Sequence, residues 1–203
     1  MNSTLKWLIP VGILVIALFS IYGWVVGFNN TSVTLQQDSK TAWGNVESSY
    51  QRRNDLIGNL VQTVQGAANF EKSTLTAVIE ARAKATAVTI DPSKVTPAQL
   101  EAFQKSQTGV SSALSRLMVS VEKYPDLKAN ENFLRLQAEL EGTENRIKTA
   151  RDRYNTSVEP YNVHILSFPN SFINGFIGHF KELPYYKSDP GAEKAPTVKF
   201  EFK

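Results

Sequence analysis

The chain has no cysteine and only two histidines, His164 and His179, among its 203 residues. The missing thiols exclude a disulfide framework, thiolate metal sites, a thiol nucleophile and lipid attachment through sulfur. No H-E-x-x-H pattern, paired-carboxylate pattern or glycine-rich phosphate loop occurs either, so the spacing motifs that announce common reactions are lacking. His164 falls on the apolar seam of the last long helix, near Phe168, where a hydrogen-bonded packing histidine is expected rather than a metal ligand. Lys and Arg nearly balance Asp and Glu, giving a net charge of +3 with no basic block. That distribution carries no nucleic-acid footprint. No cofactor, metal or catalytic set is expected, and the chain reads as a non-enzyme.

Charge is also missing locally. From Trp7 to Phe28 no residue is charged, and "WLIPVGILVIALFSIYGWVVGF" is long enough to cross a hydrocarbon core, which takes about 20 apolar residues. A cleaved signal peptide is the competing reading, but the run is too long and no small-x-small cleavage pattern follows it. A retained membrane anchor is expected. Trp7, Tyr22, Trp24 and Phe28 stand toward its ends as candidate interface anchors, and Pro10 would sit in the first turn, where its missing donor is harmless. Lys6 and the amino terminus flank one side, whereas Lys40 on the other is offset by Asp38, which leans toward an extracytoplasmic carboxyl-terminal domain.

Beyond the anchor the dominant signal is a seven-residue repeat. Trp43, Val46, Tyr50, Ile57, Leu60, Val64 and Ala67 mark one stripe of a helix over about Ser32 to Phe70, close enough to Phe28 to continue the membrane helix. Leu75, Val78, Ile79 and Ala85 mark a second, shorter helix that stops before Asp91-Pro92. Thr96-Pro97-Ala98-Gln99 is a helix start with a capping box, and Leu100, Phe103, Val110, Leu114, Leu117 and Val121 follow. After "YPDLKAN" a fourth helix, about Glu131 to Ser167, presents Phe133, Leu136, Leu140, Ile147, Ala150, Tyr154 and Tyr161, with a kink expected at Pro160. Four amphipathic segments on short connections imply an all-α fold: a transmembrane helix and then a long antiparallel four-helix bundle. The expected divisions are a flank over 1–6, the anchor over 7–28, the bundle over 29–168 and an aromatic carboxyl-terminal segment over 169–203.

In that last segment Phe168, Phe172, Phe176 and Phe180 recur four apart with Ile173 and Ile177 beside them, and Val198, Phe200 and Phe202 alternate like a strand. Two readings stand open: a hydrophobic lid on the membrane-proximal end of the bundle, or a surface for lipid or a neighbouring protomer. Phe172, Ile173, Phe176, Ile177, Phe180, Phe200 and Phe202 are the candidate contact residues for assembly or membrane.

"AWGNVESSYQRRNDLIGNLVQTVQG" on the first helix, "ARAKA" on the second, "YPDLKANENFLRLQAELEGTENRIKTARDRYN" into the fourth, and the later "YN" and "FP" resemble the LemA family of bacterial membrane proteins. The resemblance covers nearly everything after the anchor. It implies one amino-terminal span, a helical-bundle domain and a bacterial inner (cytoplasmic) membrane location, and it supplies no reaction. Gly58 departs from the proline of many members, Asn29-Asn30 replaces a tyrosine-asparagine pair, and Gly178-His179 weakens a phenylalanine-glycine-phenylalanine pattern.

One charge interrupts the first stripe. Arg53 occupies the seam position between Tyr50 and Ile57, as Gln107 and Thr143 do on the third and fourth helices. In an antiparallel arrangement the rise of about 1.5 Å per residue brings Arg53 level with Glu144, so a charge-assisted contact with Glu144 is expected, shared with Asn145 and bordered by Thr143. Its expected role is to fix register, since buried paired charges are more often structural. A scaffold that self-associates or organises membrane and envelope partners is therefore expected, with membrane lipid and further copies of the chain as partners and nucleic acid excluded. The alternative is an envelope module that binds a peptide or ligand through Arg53, Gln107 and Thr143.

Overall fold

The computed structural model describes residues 3–66 and 70–187. Its first helix, α1 (Ser3–Gln65), runs without a break from the apolar segment into the folded domain. At about 1.5 Å per residue, 63 residues make a rod of about 95 Å. Helix α1 begins at Ser3, so Pro10 stands inside it rather than in its first turn: the flank ahead of Trp7 joins the helix instead of ending it.

The remaining elements are α2 (Lys72–Thr86), α3 (Pro97–Val121), the single turn α4 (Pro125–Lys128), α5 (Glu131–Leu166) and α6 (Asn170–Ile177). Local chemistry sets their starts. Thr96 accepts from the Gln99 amide while the Gln99 side chain accepts from the Thr96 amide, and Pro97 supplies a preset first helical residue. Asn130 caps α5 by accepting from the Phe133 amide. At the end of α6, Gly178 takes the left-handed conformation, φ 65°, that closes a helix without a Cβ clash.

Helices α1 and α5 pair antiparallel along the domain, and α2 and α3 form a second pair packed on them through side chains. The bundle is uneven, because α2 spans only 15 residues. Two cores result. In the distal one, Ile57, Leu60 and Val64 meet Val78, Leu117 and Phe133, so helices from both pairs contribute. In the proximal one, α1 and α5 enclose Phe28, Trp43, Tyr154, Tyr161 and Ile165, and the covering residues are Ile90, Val95, the start of α3, Ile173 of α6 and Leu183 and Tyr186 of the segment after it. The expected division at 168 falls inside this core. Ile79 is exposed rather than part of the α2 stripe.

Helix α5 passes through Pro160 to Leu166. Interior proline costs about 3 kcal/mol or more, but the residues just beyond it, Tyr161, Asn162 and Ile165, are buried against α1 and the tail, and that packing holds the last turns helical. Close approach of the two long helices is helped by a small residue: the buried Ser39 hydroxyl lies 3.1 Å from the carbonyl of Leu35 on its own helix and 3.1 Å from that of Ser157 across the seam.

Candidate functional site

Arg53, Gln107 and Thr143 interrupt the apolar stripes of α1, α3 and α5, and the boundary between the two cores falls at each of them. Arg53 is 2% exposed. Its Nη1 donates to Glu144 Oε1 at 3.0 Å and to Ser111 Oγ at 3.2 Å, its Nη2 donates to Gln107 Oε1, and its guanidinium lies 4.9 Å from the centre of the Tyr50 ring. The charge is thus met by a carboxylate, an amide oxygen, a hydroxyl and a π face, the acceptor-rich surroundings a buried guanidinium requires. The Glu144 side chain is 48% exposed, so water shares the carboxylate with the arginine. Asn145 is exposed and outside the contact, because it stands one residue round α5 from Glu144 and points away from the seam. Thr143 is buried at the same level but donates to the carbonyl of Glu139 on its own helix, 2.8 Å away.

Beside Arg53 lies a cleft of about 100 Å³, lined also by Gln104, Thr108, Ile147 and Arg151. It has room for a few waters or a ligand of a few atoms. No histidine lines it, and Glu144 is its one carboxylate. Among the described residues no group of three or more His, Asp or Glu side chains gathers as a metal site. His164 is engaged in packing: its ring stacks on Phe28 with centroids 5.3 Å apart, and Asn170 Nδ2 lies 3.2 Å from its Nδ1.

A second constellation has no counterpart in the sequence reading. The dipeptide Tyr-Asn occurs at 154–155 and again at 161–162, seven residues on, and both copies grip the extended segment after α6 by its backbone. Tyr161 donates to the carbonyl of Lys181 at 3.0 Å, and Asn162 both donates to the Leu183 carbonyl at 2.8 Å and accepts from the Leu183 amide at 2.9 Å. Tyr154 donates to the Pro184 carbonyl at 3.3 Å, and Asn155 forms the same two-way pair with Tyr186 at 3.0 and 2.8 Å. Arg151 adds a contact to the Lys187 carbonyl at 3.2 Å and lies over the Tyr186 ring. Each asparagine imitates a neighbouring β-strand, since its amide offers one donor and one acceptor to one residue. Burial raises the phenol pKa of Tyr154, Tyr161 and Tyr186 above the ordinary value near 10. The repeated dipeptide was the available signal, but only the segment it holds gives it meaning.

The proposed interface anchors separate. Trp7 and Tyr22 are exposed and Trp24 partly so, whereas Phe28 is 2% exposed and belongs to the proximal core, wedged between His164 and Phe180. Its apolar ring finds protein rather than headgroups because α5 reaches down to its level. In the tail Ile173 is buried and Phe180 half-buried, while Phe168, Phe172 and Phe176 are exposed. The side chain of Ile177, and Val198, Phe200 and Phe202, lie outside the described residues.

A profile of the LemA family matches residues 42–200, most of the chain. The chain belongs to the LemA family. Among its relatives, Protein LemA of Metamycoplasma hominis is 29% identical over 77% of this chain and 67% of its own length. Magnetosome protein MamQ 2 of Paramagnetospirillum magneticum is 27% identical over 89% of this chain and 74% of its own. Magnetosome protein MamQ of Magnetospirillum gryphiswaldense is 26% identical over 81% and 66%. The matched region of this LemA-family protein holds the Arg53 layer, both Tyr-Asn pairs and the segment they grip, and it begins after the apolar part of α1. That part is long and apolar enough to cross a membrane, in keeping with a membrane-associated protein.

Proposed function

We propose that this protein is a non-enzymatic, single-pass scaffold of the bacterial inner membrane, which self-associates or organises partner proteins through a bundle held at fixed height above the bilayer. The observation that carries this reading is the continuity of α1: the helix that forms the apolar span also supplies one wall of both cores. A rod without a hinge passes the position of the bundle directly to the membrane, which suits a protein that sets spacing. The Arg53 layer supports the same reading, because its guanidinium Nη atoms are engaged by Glu144, Ser111 and Gln107 of the bundle itself. Kinship with proteins named for the magnetosome supports a role in membrane organisation. The bundle is assigned to the extracytoplasmic side, where the Lys6 flank would leave it.

Full-length protein in lipid nanodiscs, sized by mass and imaged, tests the reading. Discrete assemblies or ordered arrays at native density are expected, and strict monomers at every density would overturn self-association. Because the chain has no native cysteine, a single cysteine at the exposed Val119 reports sidedness. It is expected to react with a membrane-impermeant maleimide from outside intact cells.

A specific observation favours a second reading, ligand binding at the seam. The cleft beside Arg53 opens next to Thr108 and Gln104, whose hydroxyl and amide could meet a small polar ligand. Such a ligand would raise the melting temperature in proportion to its occupancy, and Arg53→Met would abolish the rise.

A further inference from the structure

The last turns of α5 and all of α6 leave a set of large apolar side chains without protein cover. Phe168 is 87% exposed, Phe172 63% and Phe176 81%, with Val163 and Leu166 also open to the outside. The sequence around them is unusual for a water-facing surface: between Glu159 and Lys181 no residue is Asp, Glu, Lys or Arg. Exposed apolar groups gathered without interleaved charge mark a surface with a partner.

Their position names that partner. His164 stacks on Phe28, and its Nε2 lies 3.3 Å from the Phe28 carbonyl, so α5 is level with the end of the apolar run two residues before α5 stops. Leu166 and the turn through Phe168 therefore lie at or below the level where α1 leaves the hydrocarbon. Helix α6 then folds back beside α1, with Ile173 buried in the core that contains Phe28. At about 100° per residue, Phe172, Gly175 and Phe176 share one flank of α6, centred roughly 100° round the helix from Ile173, and both phenylalanines on it are exposed. A surface beside the mouth of a membrane span meets headgroups before it meets any other molecule.

We propose that the outward face of α6, with Phe168 below it, is a second membrane contact: a short in-plane helix whose phenylalanines enter the interfacial region of the bilayer that α1 crosses. A single helix crossing a membrane can swivel about its axis and tilt. A second contact offset from that axis fixes both, so the bundle meets neighbouring copies with one constant face. The inference rests on α1 spanning a bilayer and is independent of self-association.

Gly175 offers a probe that spares the phenylalanines, since a side chain added there meets no atom within 4 Å. In full-length protein reconstituted into phosphatidylcholine vesicles containing one-quarter phosphatidylglycerol, a nitroxide on Gly175→Cys is compared with labels on Ile13→Cys in the span and Val119→Cys at the distal end. The ratio of collisions with oxygen to collisions with a water-soluble nickel chelate is expected to be several-fold higher at 175 than at 119 and to approach that at 13. In Phe172→Ser/Phe176→Ser protein the ratio at 175 should fall to the value at 119, with the thermal melt unchanged. A ratio at 175 equal to that at 119 in the parent protein overturns the proposal. So does exclusion of both colliders together with spin–spin broadening between copies, which would assign the face to a second protomer. A nickel-accessible label at 13 would instead mean that the span itself had failed.

Discussion

At the scale of single residues, the burial of a partner decides what its loss costs. Arg53 is enclosed and Glu144 is half in water, so the two ends of their ion pair are not equivalent. Arg53→Met strips Gln107 and Ser111 of a partner inside the bundle and is expected to destabilise by ~1–3 kcal/mol. Glu144→Gln keeps an acceptor beside the guanidinium and loses only a screened charge, so the expected cost is below ~1 kcal/mol. Thermal melts of the two variants in the same detergent check the order. The asparagines of the tail clamp follow the same rule. Asn162→Ala leaves the buried amide and carbonyl of Leu183 without their side-chain partner, and a loss of ~2–4 kcal/mol is expected for two unmet groups. Hydrogen exchange should register it first as lost protection of the Leu183 amide.

At the scale of elements, the seven-residue pattern made the helices legible, and capping chemistry marked their starts. Thr96 and Gln99 could be read as a capping box because that motif is local in sequence. The span of α5 through Pro160 to Leu166 was legible to within a residue, whereas the burial of Tyr161, Asn162 and Ile165 that holds its last turns was not. Gly58 poses an element-scale question of its own. It stands inside α1 with the Arg82 guanidinium 3.6 Å from where a Cβ would lie, an ordinary contact distance. Gly58→Ala should therefore raise stability by about 0.5–1 kcal/mol through reduced backbone entropy in the unfolded chain. A higher melting temperature with an unchanged helical signal is the expected result, and a lower one would mean that Arg82 needs the space.

At the scale of the whole molecule, the uneven bundle is completed by its own tail. Tyr154, Tyr161 and Tyr186 all sit where α5 and the extended segment meet, and burial raises the pKa of each phenol. Above the ordinary value near 10 the unfolded chain would release these protons while the folded chain retains them. Stability is then lost as pH rises. The melting temperature should be level up to about pH 9 and fall beyond pH 10, with Tyr154 and Tyr186 gaining phenolate absorbance on unfolding. Tyr154→Phe/Tyr161→Phe/Tyr186→Phe protein should show a shallower alkaline fall, although it melts lower at neutral pH for want of two hydrogen bonds to the tail.

What the sequence determined by itself was whatever repeats or stays local: an uncharged run of membrane length, helical stripes, caps, and an arginine out of place in a stripe. Helix periodicity and hydrophobic segregation act through near neighbours, so they survive in one dimension. Tertiary structure alone decided that Phe28 serves the core and not the headgroups, that the tail divides into a buried Ile173 and exposed Phe172 and Phe176, and that two Tyr-Asn pairs hold the segment after α6. Those outcomes depend on which surfaces meet across more than a hundred residues of chain or around a turn. No local propensity encodes such a meeting; only the packing of the assembled helices does.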